Sequence, residues 1–225
     1  MTAPLARATF FAHVRAAGPC GPRLSQVAVD GLSALLDAWD RLGWPADPRP
    51  VAYTLATAWH ECRLDLSIRE DGLGRGHPYG VPVDGRVYYG RGAAQLTWYD
   101  NYRTFGRRLG LDLVGDPDLA LVPATSAAIL VIGARDGLFR PGHALGRYFA
   151  ADTDDPVGAR AIVNGDGAKN GPRIAGYHRS FLAALRAALP ADAPPITAAA
   201  GPDPRPAAWW PRLRDTIRRN MQKGT

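Results

Sequence analysis

The sequence predicts a mainly α-helical domain carrying a small irregular or β insert. Apolar residues recur at helical spacing in five segments. Residues 71–92 are rich in glycine, hold Pro78 and Pro82, and lack any helical period. The chain has 225 residues, 46% of them apolar and 21% charged. That is long enough for a proper core and too apolar for wholesale disorder.

The helices follow in order. From Ser25 to Trp39, residues Val27, Val29, Leu32, Leu35, Leu36 and Trp39 crowd one side, and Ser25 is placed to cap the start. Pro48 and Pro50 interrupt the chain, and Val51–Cys62 reads as a buried helix, apolar nearly all round. The Gly-rich loop follows, with a short hairpin expected around Val81–Tyr89. Long loops in compact domains are usually functional. Ala94–Leu109 reads as a helix closed by Gly110, and Ala124–Asp136 as one opened by Pro123 and closed by Gly137. Shorter pieces are expected at Gly142–Phe149 and Pro156–Val163, and a last long helix at Pro172–Leu189.

This divides the chain into a domain over 1–189, a Pro/Ala-rich linker over 190–206 and a basic amphipathic segment over 207–225. In the last of these, Trp209, Trp210, Leu213 and Ile217 repeat at helical spacing opposite arginines. The net charge of +6 is uneven: residues 201–225 carry six basic and two acidic side chains, leaving +2 for the first 200. Such a segment suits an anionic membrane, an anionic wall polymer or nucleic acid, although no nucleic-acid recognition motif is present.

Two cysteines, Cys20 and Cys62, exclude a disulfide scaffold and an all-cysteine zinc site. The five histidines show no ligand spacing: His60-Glu61 would need a second histidine at 64, where Leu stands, so neither metal nor cofactor is expected. No run of about 18 apolar residues exists. Arg7, His13 and Arg15 break the apolar residues at the start, so synthesis in the cytoplasm without a signal peptide is expected.

Four groups of residues could do chemistry. Glu61 ends the apolar 51–62 helix, where low-dielectric surroundings and a helix C-terminus disfavour a charged carboxylate, as a general acid requires; a solvent-facing glutamate is the plain alternative. Glu70 follows Arg69 among polar neighbours and should stay ionised; a surface acid paired with Arg69 is the alternative. Two carboxylates in unlike surroundings are what glycosidic hydrolysis needs. The run Tyr88-Tyr89-Gly90-Arg91-Gly92-Ala93-Ala94-Gln95-Leu96-Thr97-Trp98, then Asn101-Tyr102, sets amide, hydroxyl and aromatic groups beside glycines, a combination suited to a neutral, hydroxyl-rich ligand. Asn164-Gly165, with Arg173 beyond it, reads alone as a turn.

Taken together, these motifs resemble glycoside hydrolase family 19, the plant-type chitinases and related phage and bacterial endolysins. The likeness runs from about Phe10 to Leu189. The Tyr-Tyr-Gly-Arg-Gly-x-x-Gln-Leu-Thr-Trp block is its most specific part. Leu24-Ser25-Gln26-Val27 and Gly158-Ala159-Arg160-x-Ile162-Val163-Asn164-Gly165 look more like the phage-type members. The resemblance implies a lysozyme-like, bilobal helical fold with a central cleft. It implies Glu61 as general acid, Glu70 as the base that activates water, and Thr97 as a holder of that water. It implies Gln95, Asn101 and Asn164 as substrate contacts, Arg173 in a supporting charge network, and Tyr89 and Arg91 as cleft-shaping, substrate-side residues. The chain departs from the family in its short stretch between the glutamates, in lacking the plant disulfides, and in having Asp116-Pro117-Asp118 where the family has Asn-Pro-Asp.

The expected activity is inverting hydrolysis of β-1,4 bonds in peptidoglycan by a monomeric, endolysin-type muramidase that reaches the wall through a separate holin. Chitinase activity is the runner-up, and a catalytically dead wall-binding module the alternative outside enzymology.

Overall fold

A computed structural model describes residues 5–45 and 47–190. The predicted linker beyond residue 190 and the basic segment 207–225 lie outside the described residues. Seven α-helices are present among the described residues: α1 (Arg7–Ala17), α2 (Gln26–Leu42), α3 (Arg49–Cys62), α4 (Tyr99–Leu109), α5 (Pro123–Asp136), α6 (Leu145–Tyr148) and α7 (Gly167–Ala188). A two-residue antiparallel pair, β1 (Phe149–Ala150) with β2 (Thr153–Asp154), and four short 3₁₀ turns complete them. The mainly helical prediction holds.

The helices start and stop for identifiable reasons. Ser25 Oγ accepts from the Ala28 N–H at 3.1 Å and caps α2. Pro50 sits in the first turn of α3, where its missing N–H is harmless, so that helix begins two residues before its expected start. Gly110 and Gly137 end α4 and α5 in left-handed conformation. Three expectations shift. The Ala94–Leu109 helix begins only at Tyr99, because Gln95 (φ 47°) and Trp98 (φ 75°) turn left-handed ahead of it. Pro156–Val163 contains a 3₁₀ turn over Gly158–Ile162. The last helix starts at Gly167 and carries Pro172 inside it. The expected hairpin is a tight Val83–Arg86 bridge whose central pair, Asp84-Gly85, has both φ angles positive.

Helix α1 is not legible in the sequence, because only Phe10 and Val14 of it are buried. It docks on the far end of α7, where the Ala6 N–H donates to the Ala188 carbonyl at 2.9 Å.

Helix α5 explains how two lobes cohere. It is buried on every side, and its residues divide between two apolar cores. Ala127, Leu130, Val131 and Ala134 join α1, α2, α3 and α7 in the larger core. Ala128, Ile129 and Ile132 join Tyr88, Leu96, Tyr102, Phe105, Leu109 and Leu113 in the smaller one. The smaller core carries the Tyr-Tyr-Gly-Arg-Gly block, the larger one the end of α3.

Buried His178 of α7 lies in the larger lobe, its ring 5.3 Å from that of Phe149 and 6.1 Å from that of Tyr53. Burial holds its imidazole below the ordinary value; Asp154 and the Arg49 backbone oppose this, and the Arg179 and Arg49 charges add to it. The unfolded imidazole titrates near ~6.5. Below that pH the unfolded chain takes a proton that the native state refuses. Stability is therefore intact above the unfolded value and falls as pH drops through it. Denaturant midpoints followed from pH ~7.5 to ~5 should decline in the wild type and decline less in His178→Phe.

Candidate active site

Glu61 lies in the last turn of α3 and is 23% exposed. Its Oε1 accepts from Nη1 of Arg160, a buried arginine whose Nε donates to Asp166 Oδ1 at 2.5 Å. One guanidinium thus bridges two carboxylates and joins three elements: the end of α3, the Gly158–Ile162 turn and the start of α7. Asp166 also accepts from Asn170, and Arg160 leads the effects that hold its carboxyl down to about 2. Among the described residues Glu61 Oε2 accepts no hydrogen bond, leaving that oxygen available for a ligand. His60 beside it is held below the usual imidazole range, mainly by burial; Glu61 and Asp166 oppose, and Arg160 and Arg173 reinforce.

These contacts correct two expectations. The apolar setting foreseen for Glu61 is real, since most of α3 before it is buried, but a cation also sits on the carboxylate. That cation is Arg160, not Arg173, which is exposed near the start of α7 and reaches the site only as a charge near His60. Arg160 lies within the Gly158–Gly165 motif, where its burial beside Ala159 and Ile162 could not be read from spacing.

Glu70 stands on a small irregular ladder. Its N–H donates to the Gly90 carbonyl, and the Gly90 N–H donates back to Glu70 Oε2, both at 2.8 Å. Arg91 bridges Arg69 on one side and Leu96 on the other. Gly90 leaves room here for two side chains: a Cβ on it would lie 2.8 Å from Gln95 Oε1 and 3.3 Å from Glu70 Oε2. Gln95 and Glu70 are therefore close neighbours across this glycine. Tyr79 donates to Glu70 Oε1 at 2.5 Å. Partial burial pushes the Glu70 carboxyl up, but the Tyr79 hydroxyl, the Gly90 N–H and the nearby His77 outweigh it and hold the group below its ordinary value. Each oxygen keeps a second lone pair for a water. Arg69 does not pair with Glu70; it pairs with Asp118.

Around this carboxylate, Tyr79 stacks on His77 at 4.9 Å and meets Trp98 edge-on at 5.3 Å. Trp98 is 49% exposed, a free aromatic face beside the base. Thr97 donates to the Gln95 carbonyl at 2.7 Å, and Asn101 donates to the Thr97 carbonyl at 2.8 Å, so the three predicted polar residues form one connected chain. Asn164 is exposed, with its N–H on the Arg160 carbonyl at 3.0 Å, which places it on the Glu61 side. Tyr79, His77 and Asp118 were not singled out in the sequence. Nothing in the spacing of the Gly-rich loop marks Tyr79.

Tyr89 and Arg91, expected as cleft-shaping residues on the substrate side, are both buried in the protein. Arg91 is 6% exposed. Its guanidinium donates to Asp118 Oδ1 at 2.8 Å, to the Val87 and Tyr89 carbonyls, and to the Tyr102 hydroxyl at 3.1 Å. It also lies 3.6 Å from the centre of the Tyr89 ring. Its Nε and Nη1 donors are spent on the protein. Gly92 brings this strand against α5: a Cβ there would lie 2.7 Å from the Ala120 carbonyl and 2.6 Å from Ser126 Oγ, and the next N–H, of Ala93, donates to Ser126 Oγ at 2.8 Å.

Neither cysteine is disulfide-bonded. Burial pushes both thiols up to about 12, with Arg63 opposing at Cys20, so neither serves as a nucleophile at neutral pH. Among the described residues no group of three or more His, Cys, Asp and Glu side chains could hold a metal ion.

Comparison with known proteins adds to this geometry. The profile of glycoside hydrolase family 19, described as chitinase class I, matches residues 76–133. That stretch holds Tyr79, Gln95, Thr97 and Asn101 but neither Glu61 nor Glu70. An "Inactive chitinase-like protein 1" of Hevea brasiliensis is 36% identical over 77 residues, 34% of this chain and 23% of that protein. "Chitinase 2" of Oryza sativa subsp. japonica is 51% identical over 83 residues, 37% of this chain and 23% of its own. The chain thus matches about a quarter of the length of these relatives. The crystal structure of chitinase C from Streptomyces griseus HUT6037 superposes with a TM-score of 0.55 at 20% identity, covering 83% of this chain and 78% of that one. The fold is therefore that of the family 19, lysozyme-like chitinases.

Asp118 is the joint of the ladder that carries Glu70, since its two oxygens hold Arg69 and Arg91. Replacing it leaves a buried guanidinium short of its charged partner. Asp118→Ala should lower unfolding stability by about 1–3 kcal/mol in urea titrations.

Proposed function

We propose that the chain is an inverting glycoside hydrolase that cuts β-1,4 bonds in polymers of N-acetylglucosamine or its derivatives. The observation that carries this reading is the unequal support of its two carboxylates. Glu70, held ionised by neutral donors, is the base that takes a proton from the attacking water, with Thr97 and Gln95 beside it. Glu61, with one oxygen on Arg160 and the other available, protonates the departing glycosidic oxygen. Water attacking the face opposite the leaving group inverts the anomeric carbon, and inverting pairs are spaced at ~6.5–9.5 Å to admit it. Trp98 and the amides of Gln95, Asn101 and Asn164 suit sugar faces and N-acetyl groups.

Chitin is the substrate that the comparisons support, through the family 19 profile and the relatives named chitinases. A second reading, peptidoglycan, is supported by the charge: the chain carries +6, most of it after residue 200, and chitin is neutral. In that version the chain is an endolysin-type muramidase, made in the cytoplasm and released to the wall by a separate holin. A relative named inactive keeps a non-catalytic wall binder as the outcome to exclude.

Purified protein should release reducing ends from soluble chitin or from sacculi. Glu61→Gln and Glu70→Gln should each lose at least ~10²-fold in kcat while the fold is kept. Proton NMR of the first products should show the α-anomer. A β-anomer overturns inversion, and full activity in Glu61→Gln removes it from the mechanism. Tyr79→Phe removes a donor that favours the Glu70 carboxylate, so the acidic limb of the kcat/KM profile should move to higher pH.

A further inference from the structure

A groove of about 190 Å³ opens between α2 and the turn that follows α3. Buried Leu64 and Leu66 line it, together with exposed Val27 and Pro123. Gly31 brings the turn onto α2, since a Cβ on it would lie 2.1 Å from the Leu64 carbonyl oxygen. Arg63 (φ 52°) and Leu64 (φ 67°) both turn left-handed, and this reversal leads the chain from the end of α3 along the groove. Apolar cavities of about 150 Å³ take up benzene, so this volume admits an aromatic ring. Val27 keeps 51% of its surface in water beside it.

Two carboxylates, Asp30 and Asp65, also line the groove. Among the described residues neither meets a cation. Asp30 accepts from the Gln26 amide at 2.7 Å, and Asp65 accepts from the Ser67 N–H and hydroxyl at 3.0 and 2.7 Å. Asp37, Asp40, Asp118, Asp136 and Asp166, by contrast, all pair with arginines. An apolar groove with acids beside it suits an occupant that is aromatic and basic.

This chain carries such a segment. Residues 207–225, outside the described residues, hold Trp209, Trp210, Leu213 and Ile217 with Arg212, Arg214, Arg218, Arg219 and Lys223, against one acid, Asp215. The chain leading to it starts close to the groove. The Ala6 N–H donates to the Ala188 carbonyl at the end of α7, and the next residue, Arg7, pairs with Asp37 of α2 at 2.6 Å. Asp37 shares a face of α2 with Asp30, which precedes it by two turns, about 10 Å along the helix. Residues 190–206 can span up to about 50 Å at about 3.1 Å each, far more than this needs.

We propose that the groove between α2 and the turn after α3 is the docking site of this chain's own 207–225 segment. Trp209 and Trp210 enter the apolar groove, and the arginines beside them meet Asp30 and Asp65. The docked segment covers the stretch of chain that links Glu61 to Glu70, and its docking is independent of the reaction those two groups carry out.

The test follows the indoles of Trp209 and Trp210 in the full chain, as the difference in emission and acrylamide quenching between wild type and Trp209→Phe/Trp210→Phe. Docked indoles should emit to the blue and resist the quencher. Val27 and Asp30 are exposed and stand outside the candidate active site, so Val27→Asp and Asp30→Arg should keep the fold. Each should shift the indole emission to the red and restore quenching. Asp30→Asn, which loses one exposed ion pair, should lower the docked-to-free ratio by up to about fivefold. Asp30→Arg combined with Arg212→Glu/Arg214→Glu should recover the shielding. Wild-type indoles as open to acrylamide as N-acetyltryptophanamide overturn the docking. Shielding that survives both Val27→Asp and Asp30→Arg overturns the groove as the site. Shielding lost on dilution, in step with dimer dissociation in sedimentation, makes the occupant a second copy's segment and overturns the intramolecular contact. Shielding that develops only with phosphatidylglycerol vesicles assigns the segment to a membrane and overturns the groove.

Discussion

The burial of the Arg91 guanidinium is the constraint on which the site depends. A charge taken from water must be met by partners on most of its donors, or its burial costs several kcal/mol. Arg91 meets Asp118, two backbone carbonyls and the Tyr102 hydroxyl. Those partners come from three places: the 3₁₀ turn over Pro117–Leu121, the chain just before Arg91, and α4. Satisfying one side chain therefore fixes three segments against one another. The same Asp118 reaches out to Arg69, whose backbone pairs with that of Arg91. Glu70 is next in sequence to Arg69, and Gly90 is next to Arg91. The position of Glu70 is thus set by a buried arginine.

A second arginine does the corresponding work on the other side. Arg160 is also buried, and it bridges two carboxylates where Arg91 meets one. One of them is Glu61 itself, so this clamp acts directly on a candidate reacting group, whereas the Arg91 clamp acts through backbone. The contrast has a chemical consequence. Glu70 is surrounded by neutral donors that favour its ionised form. Glu61 shares its cation with Asp166, which ends deeply ionised. The two carboxylates differ because one is served by dipoles and the other by a divided charge.

Much of this was legible in the sequence. The helices with strong one-sided or all-round apolar patterns, α2, α3 and α5, were readable because burial imposes periodicity. Helix α1 was not, since two buried residues make no pattern. The start of α4 was misplaced because Gln95 and Trp98 adopt left-handed backbone, which neither residue type advertises. At the site, Glu61, Glu70, Gln95, Thr97 and Asn101 were legible from residue type and motif. The partners were not: which arginine serves which carboxylate depends on contacts up to 99 residues apart in the chain. Arg91 shows the same limit, since an arginine in a glycine-rich run suits a cleft wall and a buried clamp equally well.

That ambiguity bears on how arginines in this chain are to be interpreted. Where an arginine is buried, its carboxylate is present and the pair is structural or positions a reacting group. Arg147 and Arg173 are exposed, and no described carboxylate answers them. The fold supplies acids to its inner guanidinium groups and leaves outer ones, such as Arg75, Arg86 and Arg147, on backbone carbonyls. Glu70's surroundings, by contrast, are aromatic and neutral, with Trp98 and Tyr79 forming the wall. The two sides thus differ in chemistry: one is an aromatic, amide-bearing surface around Glu70, the other a carboxylate held by a buried guanidinium at Glu61.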